Sequence, residues 1–309
     1  MLSKNNQSNL FDAQKFDFRF FSKNLTFAAQ SKRTMSDSEK LIDVRKIIAD
    51  KNPKLLNVLP DFAINYLKRI IHEDEVNEFI AKNKGVGSID FCNYTIDHFN
   101  IELTNVGLEN LPETGKCILA VNHPLGGMDA MALVTILKEK RTDIKFIVND
   151  VLLKVKNMED MFVGVNKMGK TLRESLRKVD ELFATDQLIC VFPAGLVSRK
   201  KGGIIKDLEW KKTFISRAKK YNTPIVPAHI NGELTNFFYR LANIRAMLGV
   251  KANIEMLYLA DEMFQQRNKK MRVAFGTPIE PSTLDKSKSD LEWAQHIKEI
   301  VYQIGTRKQ

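Results

Sequence analysis

The 309 residues contain no run of eighteen or more apolar positions, which excludes a membrane-spanning helix and predicts a chain that lies on a bilayer rather than crosses it. Cysteine is scarce. Of Cys92, Cys117 and Cys190, the last two sit inside apolar strand-like runs, so an odd set of three reads as buried, reduced thiols of a cytoplasmic protein and not as a disulfide framework. Fifteen glycines and nine prolines are too few for extended low complexity. There is no G-x-S-x-G elbow and no catalytic cysteine signature, so an attacking nucleophile must come from the substrate. His72, His98, His229 and His296 have no Cys, His or carboxylate neighbours at ligand spacing, and no metal site is expected. Helix-turn-helix, zinc-finger and RRM signatures are absent as well, which argues against nucleic acid as the partner.

What the chain has in excess is positive charge. A net charge of +11 calls for an acidic partner, with nucleic acid, an anionic bilayer and acyl carrier protein as the classes that qualify. Two segments mix apolar and basic residues at helical spacing. One is 61–71, with Phe62, Ile64, Tyr66, Leu67, Ile70 and Ile71 beside Lys68 and Arg69. The other is 234–251, where the triplet Phe237, Phe238 and Tyr239 precedes Arg240, Ile244, Arg245, Met247, Leu248 and Lys251. Such stripes serve either as a buried helix face or as an interfacial one, and the aromatic triplet makes the second segment the better membrane candidate. The expected location is the inner face of the cell membrane, as a peripheral protein.

Residues 1–34 are rich in Asn, Gln, Ser and Phe without the apolar core of a signal peptide, and they read as a disordered tail. Ser36 and Glu39 form a capping-box pattern ahead of a helical annex over 35–87, broken at Asn52-Pro53 and at Pro60. From 88 to 309 the pattern becomes α/β: a helix near 89–99, then strands at 101–106, 117–121, 144–148, 188–192, 224–230, 253–258 and 271–275 with helices between most of them. Alternation with crossover-length connections predicts a largely parallel sheet covered by helices on both faces, with its active site at the carboxyl ends of the strands. A closing helix over 289–305 begins with a second capping box, Ser289 and Glu292, and Trp293 within it is expected to anchor the core.

Two strand ends carry the chemistry. Val121-Asn122-His123-Pro124-Leu125-Gly126-Gly127-Met128-Asp129 places a histidine and a carboxylate on one strand-to-helix turn. Neutral imidazole takes a proton from a hydroxyl near pH 7, and a carboxylate on its other nitrogen fixes the tautomer and stabilises the imidazolium. The plainer reading makes His123 a loop residue and Asp129 a helix cap. The second end, Phe192-Pro193-Ala194-Gly195, leads into Ser198-Arg199-Lys200-Lys201 and then Lys206 and Lys211, an apolar strand, a turn and cations that would suit an anion.

These blocks resemble the lysophospholipid acyltransferases of glycerolipid synthesis, whose first motif is N-H-x4-D and whose third is F-P-E-G-x-R-S. Phe162 to Lys167 falls where that family keeps its second, acceptor-binding motif, with Asn166 and Lys167 in place of its arginine. Trp210 to Phe214 and Pro224 to Ala228 resemble later blocks. The resemblance covers about residues 115–280. It implies an O-acyltransferase of the same α/β fold, with His123 and Asp129 catalytic and Asn122, Gly126, Gly127, Asn166, Lys167, Phe192, Pro193, Gly195, Ser198, Arg199, Lys206 and Lys211 around the substrates. Acyl-CoA or acyl carrier protein would be the donor, a lysolipid the acceptor, and no bound cofactor is called for.

The sequence also departs from that pattern. Five residues, not four, separate His123 from Asp129; Ala194 replaces the glutamate and Val197 the phosphate-binding arginine of the third motif. A dianionic phosphate favours bidentate arginine, so these losses point away from a lysophosphatidate acceptor, and the variant strings N-H-P-L-G-G-M-D and F-P-A-G-L-V-S-R-K resemble the subgroup that acylates glycine- or ornithine-containing lipids. Three readings compete with it: a 1-acylglycerol-3-phosphate acyltransferase, a non-catalytic lipid-binding scaffold, and a hydrolase that uses water in place of the alcohol.

Overall fold

The computed structural model describes residues 40, 42–149, 153, 155–165 and 171–306. The expected tail over 1–34, the Ser36 capping box, and Asn166 and Lys167 lie outside them.

The first helices are short because the chain caps and breaks them at close intervals. Asp43 accepts from the amide of Lys46 at the start of α1 (Val44–Lys51), and Asn52 accepts from Leu55 at the start of α2 (Pro53–Val58), with Pro53 in the first turn, where its missing N–H is harmless. After Pro60 come α3 (Asp61–Ile71) and α4 (Glu73–Lys82). Their boundary is His72, held left-handed at φ 54°, a break for which the sequence offers no glycine.

The rest winds around one sheet. In chain order follow α5 (Ser88–His98), β1 (Glu102–Val106), β2 (Cys117–Val121), α6 (Gly127–Leu137), β3 (Ile144–Asn149), β4 (Phe162–Val165), α7 (Thr171–Phe183) and β5 (Leu188–Val191). Then come the hairpin β6 (Arg199–Lys201) and β7 (Ile204–Lys206), α8 (Thr213–Tyr221), β8 (Ile225–Ile230), α9 (Asn236–Met247), α10 (Leu259–Phe264), β9 (Lys270–Phe275) and α11 (Asp290–Thr306). The described residues build a seven-stranded sheet of order β1-β9-β8-β2-β5-β3-β4. It is parallel except where β8 meets β9.

Strand alternation explains why both faces are covered. Along β2, Cys117, Leu119 and Val121 enter one core with α5, α6 and Phe238 of α9, while Ile118 and Ala120 enter a second core with α7, α8 and α11. β5 divides likewise, with Leu188 and Cys190 on the first side and Ile189 and Val191 on the second. All three cysteines are buried and free, and burial pushes the thiols of Cys92 and Cys117 up to about 12, so they are inert at neutral pH. Trp293 sits in the second core with its indole N–H on the carbonyl of Asp285, and Ser289 and Glu292 exchange the two bonds of a capping box.

Several sequence expectations need correcting. Residues 254–258 form a 3-10 turn and not a strand, with Glu255 inside that apolar run drawn into the interior by two arginines. Residues 162–165 are an edge strand. The cations after Ser198 form a hairpin whose turn is Gly202-Gly203, both at positive φ as a tight two-residue turn requires. The aromatic triplet splits: Thr235 caps α9 so that Phe238 and Tyr239 face inward, 0% and 2% exposed, while Phe237 is 52% exposed.

Candidate functional site

The centre of the site is the turn between β2 and α6. It leaves the sheet through Asn122, whose amide bonds both the N–H and the C=O of Ile230 at 2.7 and 2.8 Å and thereby locks the end of β2 to β8. Gly126 then turns the chain at φ 75°, ψ −127°, a conformation that only glycine adopts without strain. Asp129 follows in the first turn of α6, where the helix N-terminus favours a carboxylate. Its Oδ2 accepts from His123 Nδ1 at 2.8 Å, from Leu125 N–H at 2.9 Å and from Gly126 N–H at 3.0 Å. Asp129 is fully buried, and burial pushes its carboxyl above the usual range while the His123 hydrogen bond pulls it back. Asp129 therefore acts as a local cap and as the partner of His123 at once.

His123 is held from three sides. Its ring stacks on Phe192 at 4.2 Å, and Phe192 stacks in turn on Phe146, so β3 and β5 supply an aromatic floor. Its carbonyl accepts the amide of Ser198 at 2.8 Å, which welds the first turn to the 193–198 turn. Its own N–H donates to Asp207 Oδ1 at 3.2 Å. With Nδ1 committed to Asp129 and the side chain 19% exposed, Nε2 is the nitrogen left to meet a substrate.

Asp207 was missed in the sequence because it stands in a stretch dominated by lysines. Buried, it collects His123 N–H, the hydroxyl of Ser198 at 2.6 Å and the indole N–H of Trp210 at 2.8 Å, while Lys298 donates to its carbonyl at 2.7 Å. A cavity of about 220 Å³ opens behind this network, lined by Asn122, Pro124, Ser198, His229, Tyr302 and Gly305 among others. Burial lowers His229 to about 4, so it stays neutral.

The cations disperse rather than converge. Arg199 is buried and pairs with Glu255 at 2.8 Å, a carboxylate that also holds Arg245. Lys206 pairs with Glu299 at 2.7 Å. Lys211 stays by the turn: its N–H donates to the carbonyl of Pro193, and its Nζ stands 3.0 Å from where a β-carbon on Gly195 would lie. Gly195, at φ 68°, lets that ammonium approach. Of the two glycines in the His123 turn, Gly126 has its N–H engaged by Asp129 and has none to offer a substrate.

Residues 46–307 match the model of the acyltransferase family. The chain belongs to that family. The acyltransferase is 43% identical over 269 residues to a lyso-glycine lipid O-acyltransferase of Phocaeicola vulgatus, covering 87% of this chain and 96% of that one. It is 42% identical, over 87% of this chain and 99% of the other, to the lyso-glycine lipid O-acyltransferase of Bacteroides thetaiotaomicron. Among solved structures, the 1-acyl-sn-glycerophosphate acyltransferase of Thermotoga maritima aligns with a TM-score of 0.46 at 16% identity, covering 86% of this chain and 95% of that one.

Proposed function

We propose that this acyltransferase moves a fatty acyl group from acyl-CoA or acyl carrier protein to the hydroxyl of a lyso-glycine lipid, giving the diacylated glycine lipid. The observation that carries the reading is the His123–Asp129 contact at 2.8 Å, built into a strand-to-helix turn of a chain that is 42–43% identical over 269 residues to enzymes named for that reaction.

In this reading His123 Nε2 takes the proton of the acceptor hydroxyl as its oxygen attacks the thioester carbonyl carbon, and Asp129 stabilises the imidazolium. The carbonyl oxygen becomes an oxyanion, for which the N–H of Gly127 in the first turn of α6 is the available donor. Collapse of the tetrahedral intermediate breaks the C–S bond, and the imidazolium returns its proton to the leaving thiolate. The products are an ester and a free thiol. No acyl-enzyme is formed.

The acceptor choice rests on charge. A glycine carboxylate carries one negative charge, which a single ammonium such as Lys211 over Gly195 can meet. A phosphate dianion calls for an arginine fork, and Arg199 is turned away into Glu255. Purified enzyme given acyl-CoA and either N-(3-hydroxyacyl)glycine or 1-acylglycerol-3-phosphate should esterify the glycine lipid faster, as read by mass spectrometry. Faster acylation of the phosphate acceptor would overturn the assignment, and release of free fatty acid ahead of ester would make the protein a hydrolase.

A further inference from the structure

The outer side of α9, the β6–β7 hairpin and the 3-10 turn Ile254–Tyr258 form one surface of unusual composition. They are tied together as a unit. Lys200 Nζ reaches Asn236 at 3.1 Å, Asn243 donates to the carbonyl of Lys200 at 3.0 Å, and Arg199 and Arg245 share the buried carboxylate of Glu255. Phe237 packs edge-on against Tyr258 with ring centroids 4.9 Å apart.

Large apolar side chains project outward from this unit. Met247 is 77% exposed, Ile204 68% and Leu248 67%, and Phe237, Ile244, Val250 and Leu257 are exposed with them. A helix that had only to bury one face against the core would keep polar residues here. Around them positive charge predominates, with Glu209 an exposed carboxylate in the groove beside Lys201 and Ile204. Segments 198–206 and 234–254 hold seven Lys and Arg residues and no Asp or Glu. Arg240, Lys251 and Lys201 among them are exposed. A second copy of the chain would bring the same cations against each other, whereas anionic lipid head groups complement them. No helix among the described residues is long and apolar enough to cross a membrane.

The face also adjoins the catalytic turn. β6 begins at the residue after Ser198, which holds His123, and Leu259, just past the 3-10 turn, lies 3.6 Å from where a β-carbon on Gly126 would stand.

We infer that the face made by Phe237, Ile244, Met247, Leu248, Leu257 and Ile204, ringed by Arg240, Lys251 and Lys201, docks the protein on an anionic bilayer beside the His123 turn. This goes beyond the acyl-transfer reading and stands apart from it, because binding is read without turnover. Full-length protein is sedimented with vesicles of phosphatidylcholine alone and of phosphatidylcholine with phosphatidylglycerol. Wild type is expected to bind the anionic vesicles and to lose binding as salt rises. The variant Ile204→Ser/Met247→Ser/Leu248→Ser should bind roughly tenfold less or weaker still, with unchanged thermal melting because these side chains are exposed. Arg240→Gln/Lys251→Gln removes charge without touching the apolar residues and should erase the preference for anionic vesicles. His123→Ala should bind as wild type does. Equal binding by wild type and both face variants, or absence of binding to anionic vesicles, overturns the inference. So does a dimer, seen by light scattering, that the triple variant dissociates.

Discussion

The carboxylate of Asp207 receives the backbone N–H of His123 at 3.2 Å and the hydroxyl of Ser198 at 2.6 Å, and Ser198 returns its own N–H to the carbonyl of His123 at 2.8 Å. The two turns that leave β2 and β5 are thus closed into one ring by a residue that belongs to neither. That ring, rather than the cations, gives the site its fixed geometry.

Asp207→Asn tests the ring. The asparagine amide presents donors where His123, Ser198 or Trp210 also donate, so one buried group loses its partner and stability falls by roughly 1–3 kcal/mol. Displacing the turn should lower kcat by tenfold or more, with a smaller change in KM, since misplacement of a base by about 1 Å can reduce rate 10²-fold. Asp207 positions His123 and does not exchange the proton, so the variant should keep a measurable pH profile at a lower plateau, with its midpoint free to move because the Asp207 charge also acts on Asp129. Denaturant unfolding and steady-state pH profiles check both halves.

Gly126→Ala places a β-carbon at φ 75°, with Val197 and Leu259 at ordinary contact distances of 3.5 and 3.6 Å, so the penalty is backbone strain and not collision. Strain of this kind costs about 1–3 kcal/mol. Relief of it would pull the Gly126 N–H from Asp129, and the variant is expected to lose both stability and rate, measured by urea unfolding and acyl transfer. Wild-type values for both would mean that the turn tolerates a side chain.

His229 sets an acid limit. Its folded value of about 4 lies below the ordinary 6.5 because burial disfavours the charged ring, so the unfolded chain binds the proton first. The stability it permits is complete above pH 6.5 and is lost between pH 6.5 and 4, by roughly 3 kcal/mol. His229→Gln should flatten that part of the curve of melting temperature against pH. An unchanged slope would assign acid sensitivity to other groups.

How much of this the sequence discloses depends on how local each cause is. The His123 and Asp129 pair, the breaks at Asn52-Pro53 and Pro60, and the Ser289 capping box are set by residues a few positions apart, and they are legible. So is the mainly parallel sheet, because buried strands of apolar residues alternate with helices. Asp207 and Glu255 were not legible. Each is a carboxylate in an unremarkable setting whose role comes from partners far along the chain: Asp207 from His123 and Glu255 from Arg199. The same distance misled the reading of Arg199 and Lys206 as an anion site, since Glu255 and Glu299 that engage them lie 56 and 93 residues away. The aromatic triplet stays open between core and surface in the sequence because composition does not say which way a helix turns until its neighbours are known, and the structure buries Phe238 while exposing Phe237.

The central claim is that His123 is the base, and single-turnover transfer of a labelled acyl group from acyl-CoA to the lyso-glycine lipid by wild type and His123→Ala tests it most directly. The ring stacks on Phe192 and its Nδ1 bonds the buried Asp129 carboxylate, so its removal should cost roughly 1–3 kcal/mol of stability with the fold retained, while the transfer rate should drop by roughly 10²–10⁴. Asp129→Asn should lose less, because it keeps the shape of the turn and some hydrogen bonding. Transfer at a near-normal rate by folded His123→Ala would contradict the account.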